Sequence, residues 1–116
     1  MKMRIQGDAI RFRLNRREVE AFAESGRASG SLAFPGGGAL VYTLERSAAP
    51  DVTARFEGGA IRVGVPASAL TGWASTDQVG IHVQVESLEV IIEKDFQCLH
   101  KGEAGKDPDA YPNPMA

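Results

Sequence analysis

The chain has 116 residues, a mass of 12.4 kDa and a formal net charge of −2, with 43% hydrophobic and 24% charged residues. That length suits one domain with a core of its own, and the balance excludes a disordered or collagen-like chain. The mild acidity argues against nucleic-acid binding through bulk positive charge.

The first elements read as a hairpin. Met1, Met3 and Ile5 alternate with Lys2, Arg4 and Gln6, and Ile10, Phe12 and Leu14 alternate with Arg11 and Arg13. A period of two predicts strands with one apolar and one basic face. Gly7-Asp8 between them predicts the turn. The period then changes to 3.6. Asn15 and Glu18 have the spacing of a capping box, Val19, Phe22 and Ala23 form an apolar stripe, and Gly26 suits the residue after a helix. A helix is predicted from about Arg16 to Ser25.

Strands are predicted next at Gly30 to Phe34, Leu40 to Glu45, Val52 to Glu57 and Ile61 to Val65. Pro35-Gly36-Gly37-Gly38 is a flexible hairpin tip, and it lacks the Gly-x-x-x-x-Gly-Lys pattern of a phosphate loop. Gly58-Gly59 is a strong two-residue turn signal. Pro66 can open a short helix over 67–74, with Ala69, Leu70 and Trp73 at helical spacing. Gln78 to Val85 alternates as a strand. Leu88 to Phe96 is apolar enough for a central one.

These elements predict an α+β fold: a curved, largely antiparallel sheet or partly open barrel of about eight strands, with one main helix and one short helix. Residues 1–100 form a single domain, and 101–116, polar and rich in proline, form an irregular tail. No internal repeat and no interdomain linker stands out.

The charge is unevenly spread. Residues 1–17 carry a net +5, and residues 86–109 carry −4. Arg4, Arg11 and Arg13 share one face of the first hairpin and form a candidate anion site, since a guanidinium binds phosphate or carboxylate in a two-pronged fork. Triphosphate-tunnel proteins carry comparable Arg and Glu alternation, but their ordered Glu-x-Glu-x-Lys signature does not occur at this N-terminus. The alternative is that these arginines pair across the sheet with Glu89 and Glu93.

The densest chemistry lies at residues 93–100. Asp95, Cys98 and His100, with His82 from the preceding strand, form a candidate metal site. Cys98 could also serve as a nucleophile, with His100 or His82 as base and Asp95 or Asp77 orienting it. The lone cysteine excludes an intramolecular disulfide, and no Cys-x-x-Cys is present. With one cysteine and two histidines, the usual closed zinc site cannot form within one chain.

No complete catalytic constellation is present and no cofactor is implied. The pattern is that of a non-catalytic binding or interaction module, with an unidentified protein, a small anionic ligand or a second copy as partner. No secretory signal follows the charged start, and no apolar run approaches the ~20 residues that span a bilayer. A cytoplasmic location without membrane contact is therefore expected.

Four segments together resemble a small bacterial family of uncharacterised, stand-alone proteins. They are Met3-Arg4-Ile5-Gln6-Gly7, Asp77-Gln78-Val79-Gly80-Ile81, Glu93-Lys94-Asp95-Phe96-Gln97-Cys98-Leu99 and Tyr111-Pro112-Asn113-Pro114. The resemblance spans nearly the whole chain. It implies a complete small protein and brings no activity with it.

Overall fold

In the computed structural model, residues 1–96 and 109–114 are described. The elements are β1 (Lys2–Gln6), β2 (Ala9–Leu14), α1 (Arg16–Ser25), β3 (Arg27–Ala33), β4 (Ala39–Ser47), β5 (Thr53–Glu57), β6 (Ala60–Pro66), α2 (Ala67–Ala74), β7 (Gly80–Val85) and β8 (Leu88–Lys94). Among the described residues the fold is α+β with eight strands and two helices, as the periodicities predict, and four of the six strand pairings are antiparallel. Beyond that expectation, the strands divide into two sheets. Their orders are β1-β2-β8-β7 and β3-β4-β6-β5. Each has a parallel pair at its centre, β2 with β8 and β4 with β6. The apolar strand β8 is thus central, with Val90, Ile91 and Ile92 buried.

Local chemistry accounts for the elements. Asn15 Oδ1 accepts from the Glu18 N–H at 2.9 Å, and Glu18 Oε1 accepts from the Asn15 N–H at 2.9 Å, completing the capping box of α1. Gly26 ends that helix with φ 79°, a left-handed conformation that costs glycine nothing sterically. Gly58 and Gly59 both take positive φ between β5 and β6, as a tight hairpin requires.

The architecture repeats itself, which overturns the expectation of no internal repeat. The order ββαββ occurs twice. A shift of 51 positions carries β1 onto Thr53–Glu57, β2 onto Ala60 to Val65 and the start of α1 onto Ala67. The register follows: Arg4 opposite Arg11 becomes Arg55 opposite Arg62, and Ile5 opposite Ile10 becomes Phe56 opposite Ile61. Replacing each strand by its counterpart converts one sheet order into the other. The repeat escapes a reading of residues because little beyond the alternation, the turn glycine and a few pairs such as Arg11 with Arg62 survives in it. Phe12 matches Val63, and Phe22 matches Trp73.

Each helix passes the chain from one sheet to the other: α1 from β2 to β3, α2 from β6 to β7. The two helices therefore lie at one end of the molecule and touch. Phe22 and Trp73 meet edge to face, 6.5 Å between ring centres, and both are fully buried. Trp73 also donates from Nε1 to the Val79 carbonyl at 3.0 Å, so its polar atom is satisfied inside the core. One core joins the inner faces of both sheets and both helices, including Phe12, Leu14, Leu44, Val63, Val65 and Ile92. Tyr42 bridges the sheets, its hydroxyl donating to the Met1 carbonyl at 3.3 Å. Its ring lies over Gly30, where a Cβ would stand 2.5 Å from it, so only glycine leaves room.

The expected tail over 101–116 falls largely outside the described residues. Within it Tyr111 is 98% exposed, so its ring is not seated on the domain.

Candidate functional site

The outer face of the first sheet carries the predicted basic residues. Arg11 and Arg13 converge on one atom, Glu93 Oε1, at 2.6 Å from Arg11 Nη1 and 2.8 Å from Arg13 Nε. The parallel pairing of β2 with β8 causes this, because it sets Arg13 opposite Glu93 and Arg11 opposite Ile91, one step away on the same face. Burial pushes the Glu93 carboxyl up, but the hydrogen bonds from Arg13 and Arg11 outweigh it and hold the group below the ordinary carboxylate range. Arg4 is not drawn into this cluster, and no described residue forms an ion pair with it. The second sheet repeats the motif in weaker form: Arg62 Nη2 bonds Glu45 Oε1 at 2.9 Å, and Gly64 stands where the first sheet has Arg13.

The candidate metal ligands are placed as follows. Asp95 accepts from Lys2 Nζ at 2.8 Å, and that hydrogen bond lowers its pKa. His82 Nε2 bonds Glu89 Oε2 across β7 and β8. Cys98 and His100 lie outside the described residues, so neither the metal set nor the nucleophile can be assembled from them here. Among the described residues, no group of three or more His, Cys, Asp or Glu could hold a metal ion. No helix among them is long and apolar enough to cross a membrane.

The repeat also places two cations at the helix C-termini. Arg46 Nη1 donates to the Ala23 carbonyl at 3.3 Å, and Lys94 Nζ donates to the Thr76 carbonyl at 2.7 Å. Positive charge there offsets the negative pole of each helix. These roles are structural and leave both side chains engaged.

The feature that sequence reasoning missed lies at the end opposite the helices. There the turns at 7–8 and 58–59 leave the two sheets apart. A cleft of about 560 Å³ opens between them, lined by Ile5, Ile10 and Leu88 from the first sheet and by Leu40, Ala54, Phe56, Ile61 and Val63 from the second. The walls are counterparts in the repeat: Ile5 and Ile10 line the cleft from the first sheet, and their equivalents Phe56 and Ile61 line it from the second. Ile5 is 62% exposed and Phe56 69%, in contrast to the fully buried Phe12 and Val63 one or two positions nearer the helices. Among the described residues, Arg55 is the one charged residue on the wall. Apolar surface continues through Leu40 to Phe34 on the β3–β4 tip. Alternation marks Ile5 and Phe56 as inward-facing, but it carries no sign that the inner face stays open there.

Concave, apolar sites of some 300–1,000 Å³ are the usual form of small-ligand pockets. This cleft has that size and lining. Among the described residues, its walls carry no nucleophile, no acid–base pair and no donor set for a metal. What it can do chemically is remove apolar surface from water.

No curated protein and no solved structure matches the chain. A family model does: it covers residues 1–115 and is described as Family of unknown function (DUF7009), and the protein belongs to that family.

Proposed function

We propose that the protein is a non-catalytic binding module and that its ligand occupies the apolar cleft between the two sheets. The observation that carries this is the exposure of Ile5 and Phe56 on the walls of a concave, almost wholly apolar space. Large apolar side chains left open to water in a cluster mark interaction sites, whereas isolated ones carry no such meaning. The charged groups support the same view, because Arg11, Arg13, Glu93 and Asp95 are engaged with one another or with Lys2.

A neutral apolar fluorophore, N-phenyl-1-naphthylamine, tests the proposal. The native chain should bind it saturably, and Ile5→Ser with Phe56→Ser should abolish binding while Tyr111→Ser leaves it intact. Native protein that leaves the fluorophore dark, or equal binding by the double variant, would overturn the cleft as the site.

A further inference from the structure

We infer that the occupant of the cleft is a single-chain amphiphile with an anionic head, its tail between the two sheets and its head at Arg55. The inference rests on the proposed function and names the ligand class for the same site.

The near-twofold repeat makes the apolar walls alike from either side, so the walls alone would not orient a ligand. Charge breaks that equivalence. In the first half the counterpart of Arg55 is Arg4, and Arg4 is not part of the cleft wall. Arg55 is. Its side chain is 75% exposed, and its ion pair with the equally exposed Glu57 is loose, at 3.6 Å. A pair of that kind is worth little and yields readily to a better acceptor.

Arg55 also borders a second hollow of about 380 Å³, on the outer face of the same sheet. Its lining is mixed, with arginines and hydroxyl residues beside Glu45, which accepts from Arg62 at 2.9 Å. Arg62 stands opposite Arg55 in the β5–β6 register, and Thr53 and Ser47 bring hydroxyls to the same hollow. Gly64 keeps it open, in the position that Arg13 fills on the first sheet. The apolar cleft and this hollow, where three arginines (Arg46, Arg55 and Arg62) outnumber the one carboxylate of Glu45 among the described residues, thus meet at Arg55. A ligand matching both has an alkyl tail and a carboxylate head, to which a guanidinium donates in a fork while the head stays wetted. A volume of about 560 Å³ is in the range of sites for one small ligand.

Dodecanoate below its aggregation concentration is the probe, with dodecan-1-ol as the neutral analogue and dodecyltrimethylammonium as the cationic one. Each is titrated against the native chain carrying the neutral fluorophore. Dodecanoate should displace it with one-to-one stoichiometry and more tightly than the alcohol, and the ammonium should bind weakest. Arg55→Gln should weaken dodecanoate roughly two- to fivefold, the worth of one exposed charge pair, and leave the alcohol unchanged. Arg55→Glu should reverse the order of anion and cation. Phe56→Ser should weaken acid and alcohol alike, roughly ten- to a hundredfold. Unchanged melting temperatures in the Arg55 variants show that their effects are not on folding.

Equal affinity for acid and alcohol, with no effect of Arg55→Gln, overturns the anionic head and leaves the apolar cleft standing. Failure of every probe, the fluorophore included, removes the cleft reading as well. A dimer that forms at assay concentration, is lost in Phe56→Ser and is not dissociated by dodecanoate assigns the cleft to a second copy and overturns the inference. Binding to anionic vesicles without binding of free dodecanoate overturns it too.

Discussion

The two ends of the molecule use the same strands and finish them differently. At one end β2 and β6 run into α1 and α2, and Phe22 and Trp73 close the space between the sheets. At the other end the same strands begin at tight turns, and Ile5, Phe56 and their neighbours face an open cleft. Apolar alternation is equally regular at both ends. The difference shows that alternation states which face of a strand is apolar, while a third element decides whether that face is dry. A plugged end serves stability, and an unplugged end is free to serve binding.

The largest effect should come from breaking the closed end. Trp73→Ala removes a fully buried side chain, its ring contact with Phe22 and its bond to Val79. It should cost about 3–5 kcal/mol in denaturant unfolding, the range for large aromatic residues truncated in cores. A cost below 1 kcal/mol would mean that the helical end is not the plug described above.

Next comes the helix that forms half of that plug. Asn15→Ala removes the acceptor for the Glu18 N–H and should destabilise the protein by about 1 kcal/mol. Asn15→Asp, which keeps an acceptor oxygen, should recover most of that loss.

The acid limb of stability should be set on the outer face, away from both ends. The folded pKa of Glu93 lies below its unfolded value, because the two arginines outweigh burial. The folded state therefore binds fewer protons than the unfolded one around that range. The stabilisation is fully present above the unfolded pKa and is lost as pH falls through the folded one. Glu93→Gln should lower the melting temperature at neutral pH and flatten its fall toward acid. An acid limb of unchanged slope would show that Glu93 does not control it.

The smallest stability effect should follow the substitution with the largest binding effect. Phe56→Ser at the open end changes a side chain that is already 69% exposed. Unfolding free energy should shift by no more than about 0.5 kcal/mol. Set beside Trp73→Ala, this pair measures the contrast between the two ends directly. A large loss of stability from Phe56→Ser would mean that the cleft is closed in solution.

Most elements were legible because their causes are local. The Gly7-Asp8 and Gly58-Gly59 turns, the Asn15–Glu18 box and the Gly26 stop each act over a few residues. The candidate anion residues were found on one face, as alternation requires, yet the partner of Arg11 and Arg13 was settled by the β2–β8 pairing, which joins residues 80 or more positions apart. The repeat was hidden for a related reason. What it conserves is register and topology, and the only residue-level traces are pairs such as Ile10 with Ile61 and Arg11 with Arg62. The cleft was the least legible, since Ile5 and Ile10 carry the same local pattern as Met3 and Phe12.

By itself, then, the sequence determined the strands, the helices and which face of each was apolar, because period, capping and turn chemistry are decided between near neighbours; strand ends were less exact, β3 starting at Arg27 and not at Gly30, and β8 stopping at Lys94 and not at Phe96. Tertiary structure alone decided that eight strands form two sheets, that both helices fill the same end, and that Ile5 and Phe56 stay open to solvent beside Arg55. Those outcomes depend on what covers each apolar face, and that cover is completed by distant parts of the chain, as when Phe22 meets Trp73.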